Sequence, residues 1–222
     1  MRLYYQDVFN SLKGVLSPSM STFAMPIAKT EYGLFPINCN ALNIDQNIVD
    51  MLTVARNDHA ASFLTYFTAT NERTTSWLVD KVANDPAKIL FAIKNFITGE
   101  LYGYMGLAYG DLKGTYIEAD AIVRYSDKPI PGLMKRAFTT LIDWVQFKIG
   151  ISNVWIRVIA DNPAIHFYEK CGFRVEKIKD LFMVLNNQQE LVELKEESEN
   201  GTLPKSDRCL AYMTTIDSSA LC

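Results

Sequence analysis

The apolar positions of the chain change period several times, and each change marks an element. LFPINCNAL (34–42) predicts a strand, and Ile48, Met51, Leu52 and Ala55 then recur at helical spacing behind Asp45, a capping residue. A second short helix is predicted over 74–83, with Trp77, Leu78 and Val82 inward and Asp85-Pro86 ending it. KILFAIKNF (88–96) and LYGYMGLAYG (101–110) flank Thr98-Gly99-Glu100 and predict a β-hairpin, followed by a strand over 115–124. Next, Pro131-Gly132 opens a helix with Leu133, Ala137, Phe138, Leu141, Val145 and Ile149 on its inner face, Lys135, Arg136, Asp143 and Lys148 on its wet face, and Gly150 at its end. NVWIRVIA (153–160) is apolar on both faces, as a strand covered on both sides should be. Asn162-Pro163 starts a helix over 164–171, which Gly172 stops, and FRVEKI (173–178) returns to strand.

Two stretches depart from this rhythm. Residues 1–33, with the turn-rich Ser17-Pro18-Ser19-Met20-Ser21-Thr22, read as an N-terminal extension to a domain over 34–222. Within that domain, 179–207 reads as an insertion: LFMVL and ELVEL flank Asn186-Asn187 as in a hairpin, while the acidic ELVELKEESEN suits a helix equally well. RCLAYMTT (208–215) predicts a closing strand. The fold class is α/β in the wider sense (α+β), a central mixed, mostly antiparallel sheet flanked by helices.

Composition narrows the chemistry. The 222 residues, 49% hydrophobic and 21% charged, suffice for one sizeable core and exclude a largely disordered chain. With 22 basic and 25 acidic residues, the net charge of −3 gives no bulk field to attract nucleic acid. Two histidines, His59 and His166, and four cysteines without CxxC spacing argue against a zinc site and for reduced thiols. No apolar run reaches the roughly 18 residues of a membrane span, and MRLYYQDVFNSLKG lacks a secretory apolar core. A cytoplasmic protein with no membrane or nucleic-acid partner, monomeric or homodimeric, is the expectation.

The segment Asp161-Asn162-Pro163-Ala164-Ile165-His166-Phe167-Tyr168-Glu169-Lys170-Cys171-Gly172-Phe173 resembles the Asn…Ala…Tyr-Glu-Lys-x-Gly-Phe signature of the GNAT acetyltransferases, and IGISNVWIRV resembles its usual approach. Two features depart from that pattern. Asn162 stands six positions before Tyr168 where seven is commoner, and of the family's Gln/Arg-x-x-Gly-x-Gly/Ala loop only the first glycine survives: Pro129, Gly132 and Met134 occupy its three key positions. The resemblance implies acetyl-CoA as co-substrate, no metal, and Tyr168 as the acid beside the coenzyme sulfur. It also implies that Asn162 contacts the pantetheine arm, in addition to capping its helix. Independently, a glycine at a helix start brings backbone N–H groups and the positive dipole end together where an anion can approach. The coenzyme contacts expected are Gly132, Leu133, Met134 and Lys135, the charge of Lys128 and Arg136, and the backbone of Ile122, Val123 and Arg124.

Acetyl transfer to an amine needs a base, because an amine near pKa ~10.4 is mostly protonated at neutral pH. Glu118 and Asp120 lie two apart on one strand and therefore share a face; either can serve, and burial would raise its pKa toward usefulness. The resemblance implies that the Thr- and aromatic-rich connection FLTYFTATNERTTSWL shapes the acceptor pocket, with Phe67, Thr70, Arg73 and Trp77 as the expected contacts. Tyr102, Tyr104 and Tyr109 read as hairpin packing, and His166 as an exposed helix residue. The expected reaction is N-acetylation of a small-molecule primary amine, with a nucleotide-linked amino sugar preferred from a likeness of the WL…PGLM…DW…NVWIRV series to acetyltransferases of surface-sugar pathways. A protein-amine acetyltransferase of the ribosomal-protein kind and a catalytically silent acyl-CoA-binding module are the alternatives.

Overall fold

The computed structural model describes residues 4–16, 22–198 and 201–215. Most of the turn-rich 17–22 segment and the chain end therefore lie outside the described residues. The chain divides into two compact units, 1–57 with 69–154, and 58–68 with 155–222.

In the first unit, β1 (Met25–Pro26), β2 (Tyr32–Pro36), β3 (Ile89–Asn95), β4 (Leu101–Ala108) and β5 (Tyr116–Arg124) pair in that order, each antiparallel to the next. The strand expected over 34–42 is shorter and starts earlier, at Tyr32; beyond Ile37, whose N–H still donates to the Leu90 carbonyl, the chain turns away, with Asn38 and Asn40 side chains capturing nearby backbone N–H groups. α2 (Gln46–Asp58) is capped by Asp45, whose carboxylate accepts from Asn47 N at 2.9 Å, and buries Ile48, Val49, Met51, Leu52 and Ala55. α3 (Asn71–Trp77) continues into a widened π-type turn over Leu78–Val82. α4 (Leu133–Asp143) buries Leu133, Ala137, Phe138 and Leu141, as its periodicity requires. It too ends in a π-type stretch, Trp144–Ile149, closed by Gly150 in the left-handed region (φ 86°).

The N-terminal residues carry a helix of their own, α1 (Tyr5–Leu12), which the weak periodicity of that stretch did not announce. Phe9 on it is fully buried and stacks on Trp144 with centroids 6.0 Å apart, and Tyr5 Oη donates to the Asp111 carbonyl at 3.0 Å.

In the second unit, β6 (Asn153–Ile159), β9 (Lys205–Thr215), β7 (Phe173–Leu185) and β8 (Leu191–Lys195) lie side by side, all antiparallel. Thus 179–195 forms a hairpin, the end of β7 running into β8, turned at Asn186, whose side-chain oxygen accepts from Gln188 N and Glu190 N at 2.9 Å. The helical alternative fails because Leu191–Lys195 pairs with β7 as a strand, with Leu194 buried against Ile159, Leu181 and Leu210. α5 (Ala164–Lys170) follows β6 and ends at Gly172, φ 89°. Among the described residues no helix is long and apolar enough to cross a membrane, and no group of three His, Cys, Asp or Glu side chains is placed to hold a metal ion.

Candidate active site

In the first unit the informative element is β5. Glu118, Ala119 and Asp120 pair regularly with Ala108, Leu107 and Gly106, so the two carboxylates do share a face. The regularity breaks immediately after: Gly106 stands opposite Asp120 but Tyr104 opposite Val123, so Ala121 and Ile122 together face Met105. This is a β-bulge, and Ala121 adopts φ 54° to make it. The extra residue reverses the facing of everything beyond it, placing Val123 on the face of Glu118 and Asp120.

The two carboxylates differ in their surroundings. Glu118 is buried, at 9% exposure. Asp120 is ion-paired with Lys88, Nζ to Oδ2 3.3 Å, and its side chain is 30% exposed. Lys88 precedes β3 by one residue, in register with Ala108 and hence with Glu118 across it. The small residues Gly106 and Ala108 leave room for its side chain to span the intervening strand. A methyl group added at Gly106 would stand 2.6 Å from the Ile89 carbonyl. The Lys88 ammonium also lies 5.3 Å from the Trp77 ring centroid and 5.9 Å from that of Tyr109. Of the expected acceptor residues, then, Trp77 reaches the neighbourhood of Asp120. Thr70 instead caps α3, accepting from Arg73 N at 3.3 Å, and Arg73 is exposed. Phe67, in the second unit, is 45% exposed.

Beyond β5 the chain enters the loop that leads to α4, and Tyr102 holds both ends of it. Its carbonyl accepts from Tyr125 N and Ser126 N (2.9 and 3.1 Å), and its hydroxyl accepts from Ile130 N at 2.9 Å. Tyr102 is therefore more than hairpin packing. A tyrosine early in a strand carries no sequence signal for that role. Gly132 caps α4 with φ 72°, a conformation that strains any residue with a side chain. Of the N–H groups expected to face an anion, that of Leu133 is spent on the Ile130 carbonyl at 3.1 Å. Those of Met134 and Lys135 have no helical carbonyl four residues back and open from the helix start. The Arg136 guanidinium folds over the same spot: Nη1 is 3.0 Å from where a Gly132 Cβ would stand, and Nη2 donates to the Pro131 carbonyl at 3.3 Å. Its Nε is buried without a hydrogen-bond partner. Lys128 and Lys135 are exposed on this loop and helix turn, as is Arg124 at the end of β5, while Ile122 is half-buried.

In the second unit, Tyr168 is 7% exposed on α5 and meets the Phe167 ring edge-on at 5.3 Å. Asn162 Oδ1 accepts from Ala164 N at 2.9 Å, which closes the turn into α5. His166 is exposed and pairs with Glu169 at 3.1 Å, in keeping with its surface reading.

Comparison with known proteins follows the same lines. A model of the acetyltransferase (GNAT) family matches residues 52–173. No curated protein gives a match. Among solved structures, a probable acetyltransferase (GNAT family) from Chromobacterium violaceum is similar with TM-score 0.65 and 15% identity, over 90% of this chain and 88% of that one. A mutant spermidine N-acetyltransferase from Vibrio cholerae gives TM-score 0.59 and 16% identity, over 86% and 96%. The ribosomal L7/L12 alpha-N-protein acetyltransferase RimL gives 0.62 and 12%, over 88% and 94%. At such identities these likenesses speak to the fold, whereas the family model spans more than half of the chain, so the protein belongs to the GNAT family of acetyltransferases.

Proposed function

We propose that this acetyltransferase acetylates a primary amine of a small molecule by direct attack on acetyl-CoA, with Glu118 as base and Tyr168 as acid. The observation that carries the reading is the burial of Glu118 on the face it shares with Asp120, whose own side chain is partly exposed and ion-paired with Lys88. The start of α4 fits a coenzyme pyrophosphate: a cap without a side chain, outward first-turn amides at Met134 and Lys135, and Arg136 laid over it with an unpaired Nε. Lys128 and Lys135 add charge there, and Leu133 anchors the turn in the core. Ile122 in the bulge, with Val123 and Arg124 just beyond it, offers backbone groups to the pantetheine amides, and Asn162 does the same from the turn before α5.

When bound, acetyl-CoA supplies an activated acetyl thioester. Glu118 takes the proton that keeps the acceptor amine from attacking, and the Tyr168 hydroxyl returns one to the leaving sulfur. Phe67, Thr70, Arg73 and Trp77 are assigned to the acceptor. A nucleotide-linked amino sugar is its preferred class, and a cytoplasmic monomer or homodimer the preferred setting. Free-thiol release with acetyl-CoA and a panel of spermidine, a nucleotide-linked amino sugar and a peptide amine tests the reading. Glu118→Gln and Tyr168→Phe should each lower kcat by about 10²-fold or more, the usual span of acid–base assistance. Asp120→Asn should cost clearly less. Thermal stabilisation by acetyl-CoA with no thiol release on any amine would instead mark a silent binder.

A further inference from the structure

The second unit contains a brace that the reaction scheme does not use. Residues 64–66 run along the free edge of β8 as an added strand: Leu194 N donates to the Leu64 carbonyl at 2.7 Å, Tyr66 N to the Val192 carbonyl at 2.8 Å, and Thr65 stands opposite Glu193. Leu64 and Tyr66 pack on Ile159, Leu181, Leu194 and Leu210. One side chain then ties this strip to a different element. Arg208, on β9, gives Nη1 to the Ala61 carbonyl and to the Tyr66 hydroxyl, both at 2.9 Å. The other edge of the same guanidinium forks onto Asp161, with Nε to Oδ2 at 3.1 Å and Nη2 to Oδ1 at 2.7 Å. A planar, always-charged fork can satisfy a carboxylate and two further acceptors at once; a lysine cannot. Asp161 directly precedes Asn162, and Tyr66 directly precedes Phe67.

We infer that Arg208 is a positioning residue: it fixes the 61–67 strip, and with it Phe67, to the Asp161–Asn162 turn, so that acceptor binding depends on its fork. The β7–β8 hairpin thereby has a task, supplying in β8 the edge on which the strip is held. This rests on the assignment of Phe67 to the acceptor and of Asn162 to the coenzyme.

Two measurements on the full chain test it. Hydrogen exchange at the Tyr66 and Leu194 amides should quicken at least 10-fold in Arg208→Ala and remain quickened in Arg208→Lys. Steady-state acetylation of the fastest amine among spermidine, the nucleotide-linked amino sugar and the peptide should show acceptor KM raised about 10-fold in Arg208→Ala with kcat within about 3-fold of wild type. Tyr66→Phe, which removes a single hydrogen bond, should raise acceptor KM about 3-fold without loss of Tm, which keeps the test valid if Arg208→Ala folds poorly. Unchanged exchange at Tyr66 and Leu194 overturns the brace. Quickened exchange with acceptor KM unchanged overturns the positioning role and leaves a purely structural tie. A wild-type chain that acetylates none of the three amines overturns the underlying assignment, while the exchange result still decides the brace.

Discussion

Lys13 shows how much a single side chain can be asked to hold. It is fully buried, and its ammonium donates to the carbonyls of Val82 (2.9 Å), Ala83 (3.4 Å) and Asp85 (2.7 Å), closing the C-terminal end of the π-type turn after α3. Its own carbonyl accepts from Cys39 N at 2.9 Å, so the segment after α1 is tied in twice. Burial pushes the Lys13 ammonium down from 10.5 to about 8, and the same enclosure pushes the Cys39 thiol up to about 12. Between pH 8 and 10.5 the unfolded chain holds a proton on Lys13 that the native chain has released. Stability from this group therefore rises with pH through that window and is least below it. Wild type should gain on Lys13→Met as pH is raised from 8 toward 10, by on the order of 3 kcal/mol at the upper limit. Urea unfolding of both proteins at several pH values measures the gap. A gap that stays constant or narrows with rising pH would remove the buried-ammonium account.

The bulge in β5 acts on an element rather than on one contact. Before it, Glu118 and Asp120 share a face; at it, Ala121 and Ile122 leave the regular ladder, which resumes at Val123 opposite Tyr104 with the facing reversed. Ala121 holds this break at φ 54°, where a β-carbon costs on the order of 1 kcal/mol and a branched one more. Ala121→Gly should therefore keep or raise Tm, whereas Ala121→Val should lower stability by about 2 kcal/mol and weaken acetyl-CoA binding along with it. Calorimetry of both variants checks this, and a Val variant as stable as wild type would mean the bulge is not held by this backbone conformation. The bulge also marks where sequence reading stops. The 133–149 inner face, the Asp45 cap and the shared side of Glu118 and Asp120 follow from spacing alone, since they depend on local geometry. A bulge depends on the partner strand, and alanine gives no sign of it. The Lys88–Asp120 pair was hidden for the same reason: its partners are distant in sequence, and it needs small residues at 106 and 108 between them. The acidic run after Asn187 stayed ambiguous because it suits either element until β7 supplies the neighbour of β8.

Across the whole molecule the charge is slightly negative, −3, yet the start of α4, the proposed coenzyme site, is locally basic through Lys128, Lys135 and Arg136. A polyanion such as acetyl-CoA thus meets weak repulsion at long range and attraction only close to that turn. Salt acts differently on the two terms: the Debye length shrinks from about 10 Å at 0.1 M to about 3 Å at 1 M. Screening therefore removes the long-range repulsion readily, and weakens the exposed lysine contacts more than the outward amides of Met134 and Lys135 or the half-buried Arg136. Acetyl-CoA affinity should accordingly fall only about 3-fold to 10-fold between 0.05 and 0.5 M salt, and Lys128→Ala with Lys135→Ala should flatten that slope. Arg136→Ala should instead lower affinity at every salt concentration, because its guanidinium is held over Gly132 rather than free in solvent. Acetyl-pantetheine, which lacks the nucleotide phosphates, should respond little to salt or to any of the three substitutions. Isothermal titration of both thioesters separates these cases. Equal salt slopes for acetyl-CoA and acetyl-pantetheine would mean that the phosphates are bound elsewhere, and the start of α4 would lose its assignment as the coenzyme site.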